Sequence, residues 1–324
     1  MEPGDMRRTI GSVLGVVGVL LLGLAAVTAG VLPLGGAEPR SEVALAPATA
    51  APPVLEVVDV AWAPERPVQG TLFEVRLTGL PEGTEDLAGE FAGEPLHFRE
   101  WGDGERVAVA AAPIEAEGEL ELQLTLPTSA GMVERRTIPI EIVPGDYRME
   151  RLTVAPRYAG GDRPPELRER IAAEAARARA VSAASHETPR MWEPPFVAPR
   201  ESTITSGFGH GRIFNEEVQS RHMGTDFRGA VGAPILAPAH GIVALVDSFY
   251  LGGNVIYIDH GAGLVTGYLH LSAQEVAEGD RVEPGQVIGR VGSTGRVTGP
   301  HLHWIVRYGG VTVDGMSLLE LYGS

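Results

Sequence analysis

The chain has 324 residues, about twice an ordinary domain, with 42 acidic against 26 basic residues and a net charge of −16. That balance excludes nucleic acid as the expected partner, because a phosphate backbone requires a basic face. No cysteine is present, so disulfides, lipidated cysteine and thiolate metal sites are excluded, and any metal must be held by histidine and carboxylate.

In chain order, Arg7 and Arg8 precede an uncharged, largely apolar run from Ile10 to Leu34. About 20 apolar residues cross a bilayer as a helix, whereas signal-peptide cores are about 7–15 residues long. Residues 1–35 therefore read as an uncleaved signal-anchor that leaves the N-terminus inside and the remainder outside the cytoplasm. The alternative is a cleaved signal peptide, with Ala48, Thr49 and Ala50 as the cleavage site and a periplasmic product. Residues 36–53 are rich in alanine and proline and read as a linker.

Residues 54–145 alternate. Leu120, Leu122, Leu124 and Leu126 fall on one face, as do Phe73, Val75 and Leu77, and Ile138, Ile140 and Ile142. Period-two alternation broken by turns predicts about six half-buried strands and a small immunoglobulin-like β-sandwich. Pro139 predicts that the last run is an edge strand. His97 stands alone and reads as a packing or surface residue.

Residues 146–200 form a connector. Arg163 to Glu187 is rich in alanine, arginine and glutamate and predicts a helix with an apolar stripe of Leu167, Ile171, Ala175 and Ala178. It reads as a helix packed between domains; the sharper alternative is a regulatory arm near an active site.

Residues 201–324 change character: short Val, Ile and Tyr runs broken by glycine predict an antiparallel β domain. The overall fold class is therefore mainly β, with an N-terminal membrane segment, a sandwich, a helical connector and a C-terminal β domain. Seven of the nine histidines follow residue 200. In "HLH", His301 and His303 would project from one face of a strand. His222 and Asp226, four apart, would share a face whether extended or helical. Two histidines and an aspartate make a catalytic zinc set with an open fourth position, with His270 and the other member of the HxH pair as spare histidines beside it. His260 and His240 read as structural and turn residues, and "GRVGSTGRVTGP" as β-turns, since it lacks the GK[ST] ending of a phosphate loop. Asn254 and Thr298 are candidates for substrate contact; His210 has no assigned role.

From about Ser202 to Leu321, "HMGTDF", "APAHGIV", "GNVIYIDHGAGLVTGYLHLS" and "EGDRVEPGQVIGRVGSTGRVTGPHLHW" together resemble the lysostaphin/LytM-type zinc metallopeptidases of bacterial cell walls, which have a duplicated hybrid motif fold. The resemblance implies one zinc ion on His222, Asp226 and His303, with His270 and His301 as catalytic histidines. It implies an endopeptidase acting on peptidoglycan stems or cross-links in the cell envelope. "VDG" at Val313 to Gly315 departs from the common "VDP", away from the ligand positions. The alternative function is a catalytically silent scaffold that binds the wall and activates another hydrolase. Some members of the family have become such scaffolds by losing ligands or catalytic histidines, whereas all five positions are present here. A protein substrate is a third reading.

Overall fold

The computed structural model describes residues 58–323, save 82–86, 103, 129–131, 159–162 and 217. The expected membrane segment and linker lie outside the described residues; among those described, no helix is long and apolar enough to cross a membrane.

Eight strands build the sandwich: β1 Asp59–Ala63, β2 Leu72–Thr78, β3 Ala88–Phe91, β4 Glu94–Leu96, β5 Arg99–Trp101, β6 Glu105–Ala111, β7 Gly118–Pro127 and β8 Val133–Ile142. They form two antiparallel sheets of four, ordered β1-β2-β6-β5 and β4-β3-β7-β8. β8 is an edge, where Pro139 has no N–H to offer a further strand. The alternating residues meet between the sheets: Phe73, Val75 and Leu77 pack with Phe91, Leu122, Leu124, Leu126, Ile140 and Ile142.

Alternation fails in β2, where Leu72 and Glu74 on the other face are buried too. The cause is the C-terminal helix α2, Gly315–Tyr322, which packs on that face. The Leu72 amide donates to Ser317 Oγ at 3.0 Å, and the Tyr322 hydroxyl donates to Glu74 Oε1 at 2.6 Å. Leu72, Val109 and Ala111 join one apolar core with Trp304, Val313 and Leu318. Half-buried strands were the expectation; docking of the following domain buries the second face.

The connector supplies β9, Met149–Leu152, and α1, Pro165–Ala184. Pro165 sits in the first turn, where its missing N–H costs nothing. The expected stripe is the buried side, with Ala178 deepest, and it is widened by the buried polar residues Glu174 and Ser182. Glu174 accepts from the Tyr250 amide at 2.8 Å and Arg170 Nε at 2.7 Å, which satisfies its charge. Beyond the helix, Trp192 and Phe196 enter the same core as Tyr322.

The C-terminal domain contains β10 Ile204–Ser206, β11 Gly211–Phe214, β12 Val218–Arg221, β13 Thr225–Arg228, β14 Pro234–Leu236, β15 Gly241–Phe249, β16 Gly253–Gly261, β17 Leu264–Leu271, β18 Ala273–Gln274, β19 Arg281–Val282, β20 Val287–Arg290, β21 His301–Tyr308 and β22 Val311–Val313. The principal sheet runs β10-β13-β21-β17-β16-β15-β19, with β22 paired to β21. β14-β20-β18 forms a smaller sheet, and β12-β11-β9 brings the connector in as a parallel strand. Leu302, Trp304 and Val306 face the main core, whereas Ile305 packs with Ala178 of α1 on the opposite face. His301 and His303 share that opposite face with Ile305 but line an open cleft.

Candidate active site

β13 and β21 pair so that Asp226 lies directly opposite His303, and Arg228 opposite His301. Directly opposed residues of an antiparallel pair share a face, which brings the Asp226 carboxylate beside the His303 ring. Gly224 makes the approach feasible: a Cβ there would lie 2.6 Å from the Trp304 carbonyl and 2.7 Å from the His303 ring. His222 sits just before this glycine, its amide donating to the His210 carbonyl at 2.7 Å.

Three atoms converge. His222 Nε2 is 3.0 Å from Asp226 Oδ1 and 3.0 Å from His303 Nδ1, and His303 Nδ1 is 2.7 Å from Asp226 Oδ1. His222 Nδ1 is 2.7 Å from the Gly207 carbonyl, which can only accept, so Nδ1 carries the proton and Nε2 presents a lone pair. Two imidazole nitrogens and a carboxylate oxygen turned on one point fit zinc by the chemistry of the donor set. The tautomer lock on His222 is the outer hydrogen bond that ligating histidines ordinarily make.

The electrostatics agree. Burial opposes ionisation of Asp226, but hydrogen bonds and charge from His222 and His303 outweigh it and hold the carboxyl well below its usual range. Burial pushes His303 down to about 4 despite Asp226, so the ring is neutral and available as a ligand at pH 7. A neutral histidine is what a metal requires.

His270 reaches the cleft by an irregularity. Between Asn254 and Ile256 the register of β16 against β17 shifts, so that Leu269 and His270 oppose Val255 alone. His270 has φ +66°, the left-handed conformation, and is a bulge residue. Strict alternation would turn it to the Tyr268 face; the bulge instead sets its ring 5.0 Å from the His301 ring and 5.7 Å from the His303 ring, centroid to centroid. Its Nδ1 donates to the Thr294 carbonyl at 2.8 Å, and His301 Nδ1 donates to the Gly299 carbonyl at 2.8 Å. In its neutral form each ring therefore presents its lone pair at Nε2, and that of His301 lies 3.6 Å from Asp226 Oδ1. Burial, then repulsion from His303 and His301, keeps His270 well below the usual histidine range.

Two partners were not legible as site residues. Arg212 Nη2 donates to Asp226 Oδ2 at 2.7 Å, and Glu150 accepts from Ser206, Arg212 and His210. Burial disfavours the Glu150 carboxylate, but the His210, Ser206 and Arg212 contacts prevail and lower its pKa. His210 thereby gains a place at the end of a chain from His210 through Glu150 and Arg212 to Asp226. Thr298 lines the cleft, of about 470 Å³, together with His270, His301 and His303. The Asn254 side-chain Nδ2 donates instead to the Leu271 carbonyl at 3.1 Å. His260 is fully buried, bonded to the His240 carbonyl and Thr266 hydroxyl. His97 is not alone: it meets His186 of the connector at 2.9 Å, which in turn meets Glu94 at 2.8 Å.

Residues 220–315 match Peptidase family M23. The chain is 43% identical over 102 residues to peptidoglycan DD-endopeptidase ShyC of Vibrio cholerae, covering 31% of this chain and 24% of that one. It is 44% identical over 115 residues to DD-carboxypeptidase/endopeptidase Mpg of Neisseria meningitidis, covering 36% of this chain and 26% of that one. The chain thus spans about a quarter of the length of these curated relatives. A Pseudomonas aeruginosa crystal structure assigned to peptidase M23 superposes with a TM-score of 0.59 at 25% identity, covering 78% of this chain and 95% of that one.

Proposed function

We propose, from the premise that the C-terminal domain belongs to peptidase family M23, that this protein is a zinc endopeptidase of the cell envelope that hydrolyses peptide cross-links or stems of peptidoglycan. The observation that carries the reading is the convergence of His222 Nε2, His303 Nδ1 and Asp226 Oδ1 within 2.7–3.0 Å, beside two histidines whose Nδ1 atoms are tied to backbone carbonyls. The endopeptidase names of its relatives support the substrate, and their DD designation favours a bond between two D-centres. Residues 1–35 would carry the catalytic domain to the wall as an anchor or as a cleaved signal.

His222, Asp226 and His303 would hold one zinc ion, which when bound supplies Lewis acidity to the scissile carbonyl and to the attacking water. The chain's own groups do the rest. Arg212 fixes the Asp226 carboxylate from outside. The Nε2 atoms of His270 and His301 divide two tasks: one, unprotonated, takes the proton of the attacking water, and the other, on a ring that carries a second proton at Nε2, donates a hydrogen bond to the developing oxyanion. The proton then passes to the departing amine. Neutral imidazoles suit the first task, and the low pKa imposed on His270 by burial keeps it in that form.

The test is release of soluble fragments from purified peptidoglycan by the zinc-loaded full chain, with chelator and His301→Ala controls. Fragments that vanish with chelator, and vanish in a variant that still binds zinc, are expected. A zinc-loaded wild type that releases nothing from the wall would refute the reading in favour of a silent scaffold.

A further inference from the structure

Among the described residues, the cleft holds one arginine without a counter-ion. Its carboxylates are both engaged: Asp226 faces His222, His303 and Arg212, while Glu150 holds Ser206, His210 and Arg212. Arg296 lines the same cleft as His270 and His301 and makes no ion pair among the described residues. It is positioned nonetheless. Its amide donates to the Leu251 carbonyl at 2.8 Å, and its guanidinium carbon lies 4.3 Å from the centroid of the buried Phe214 ring.

This arrangement is costly. Burial, then repulsion from Arg163 and Arg212, pushes Arg296 down to about 10, so it remains charged at neutral pH. A partly desolvated, unpaired cation is unfavourable unless an anion completes it. The chain carries 42 acidic residues, yet none of the described ones is placed against this guanidinium. A planar fork held over an aromatic ring in the same cleft as the reacting groups is suited to bidentate capture of a carboxylate.

We infer that Arg296 binds a free substrate carboxylate on the carbon next to the leaving nitrogen. The inference rests on the peptidase reading above and narrows its substrate. Among bonds between two D-centres, such a carboxylate occurs in two wall structures: the diaminopimelate centre of a D-alanyl cross-link, and the terminal D-alanine of an uncross-linked stem. A lysine-type cross-link has none there, and the internal residues of a glycine bridge have none either.

The test uses the zinc-loaded full chain and two peptide pairs. One pair is a D-alanyl–diaminopimelate cross-linked dimer with the adjacent carboxylate free or amidated. The other is a stem ending in D-Ala-D-Ala, with its terminus free or amidated. In at least one pair the wild type should prefer the free acid by about tenfold or more in kcat/KM, chiefly through KM, since a charge-assisted hydrogen bond is of that strength. The pair that responds identifies the source. In Arg296→Gln the free-to-amide ratio should fall toward one, and Arg296→Lys should recover part of it.

A wild type indifferent to amidation in both pairs, or an Arg296→Gln variant that loses rate equally on both members with the ratio kept, would overturn the inference. If wild type cleaves neither pair, the peptidase reading has failed, and calorimetric binding of the same four peptides decides the inference alone. A free-acid preference lost in Arg296→Gln upholds it; equal binding of acid and amide refutes it.

Discussion

Arg212 grips the outer oxygen of Asp226, Nη2 to Oδ2 at 2.7 Å, while the inner oxygen faces the nitrogens of His222 and His303. The arginine itself is held by Glu150 and Ser206, so the carboxylate is oriented before any ion arrives. Outer partners of this kind are worth about 10–100-fold in metal affinity. Arg212→Gln should therefore weaken zinc by roughly that factor with the fold intact, measured by competition with a chelator of known affinity. Unchanged affinity would mean that β13 alone fixes the aspartate.

His270 occupies the left-handed region, which disfavours residues with a Cβ by about 1–2 kcal/mol and β-branched ones most. Asparagine tolerates that conformation. His270→Asn should stay within about 1 kcal/mol of wild-type stability, while His270→Val should lose about 2 kcal/mol or more. Both should retain zinc and lose activity by about 100-fold or more, as expected for removal of a proton-transfer group. Melting curves with zinc content answer the first point. Equal melting temperatures for the two variants would show that the bulge relaxes without the histidine.

These two cases mark what the sequence conveys. That His301 and His303 share a face follows from strand periodicity alone, and the four-residue spacing of His222 and Asp226 survives either local conformation. The approach of His270 depends on a bulge, which shifts one residue across a register and leaves no pattern in the letters. Glu150 and Arg212 are brought together by parallel pairing of β9 with β11, a contact between segments 62 residues apart. Burial of Leu72 and Glu74 was hidden for a similar reason: alternation reports one buried face, and the second is supplied by a helix at the other end of the chain.

Acid should destabilise the protein through His260. Its ring is fully buried and pushed down to about 4, so the unfolded chain, with an ordinary histidine near 6.5, binds more protons between those values. Stability therefore rises with pH through this window and is lost as pH falls through it. The contribution is about 2 kcal/mol between pH 7 and 4.5. In His260→Gln the loss of stability over that range should be smaller by about this amount, although the variant starts lower at pH 7. Denaturant unfolding at the two pH values gives both numbers. An unchanged pH slope would place the titration elsewhere.

The C-terminal domain should not stand alone. Trp192 and Phe196 from the connector lie with Tyr322 in its core, at 5.2 Å between the Trp192 and Tyr322 ring centroids, and α1 covers Leu245, Val255 and Ile305. Removing a buried Phe or Trp side chain typically costs about 3–5 kcal/mol, a large share of a domain's stability. A fragment of residues 201–324 loses both, exposes the sheet face under α1 and loses the Glu74 contact to Tyr322. It should aggregate or melt well below a fragment of residues 58–324, which should unfold in one transition because Leu72, Val109 and Ala111 belong to the same core as Trp304. Size-exclusion chromatography and calorimetry of the two fragments test this. A monomeric 201–324 fragment as stable as the longer one, or two separate transitions in the longer one, would mean that the sandwich and connector only decorate a self-sufficient domain.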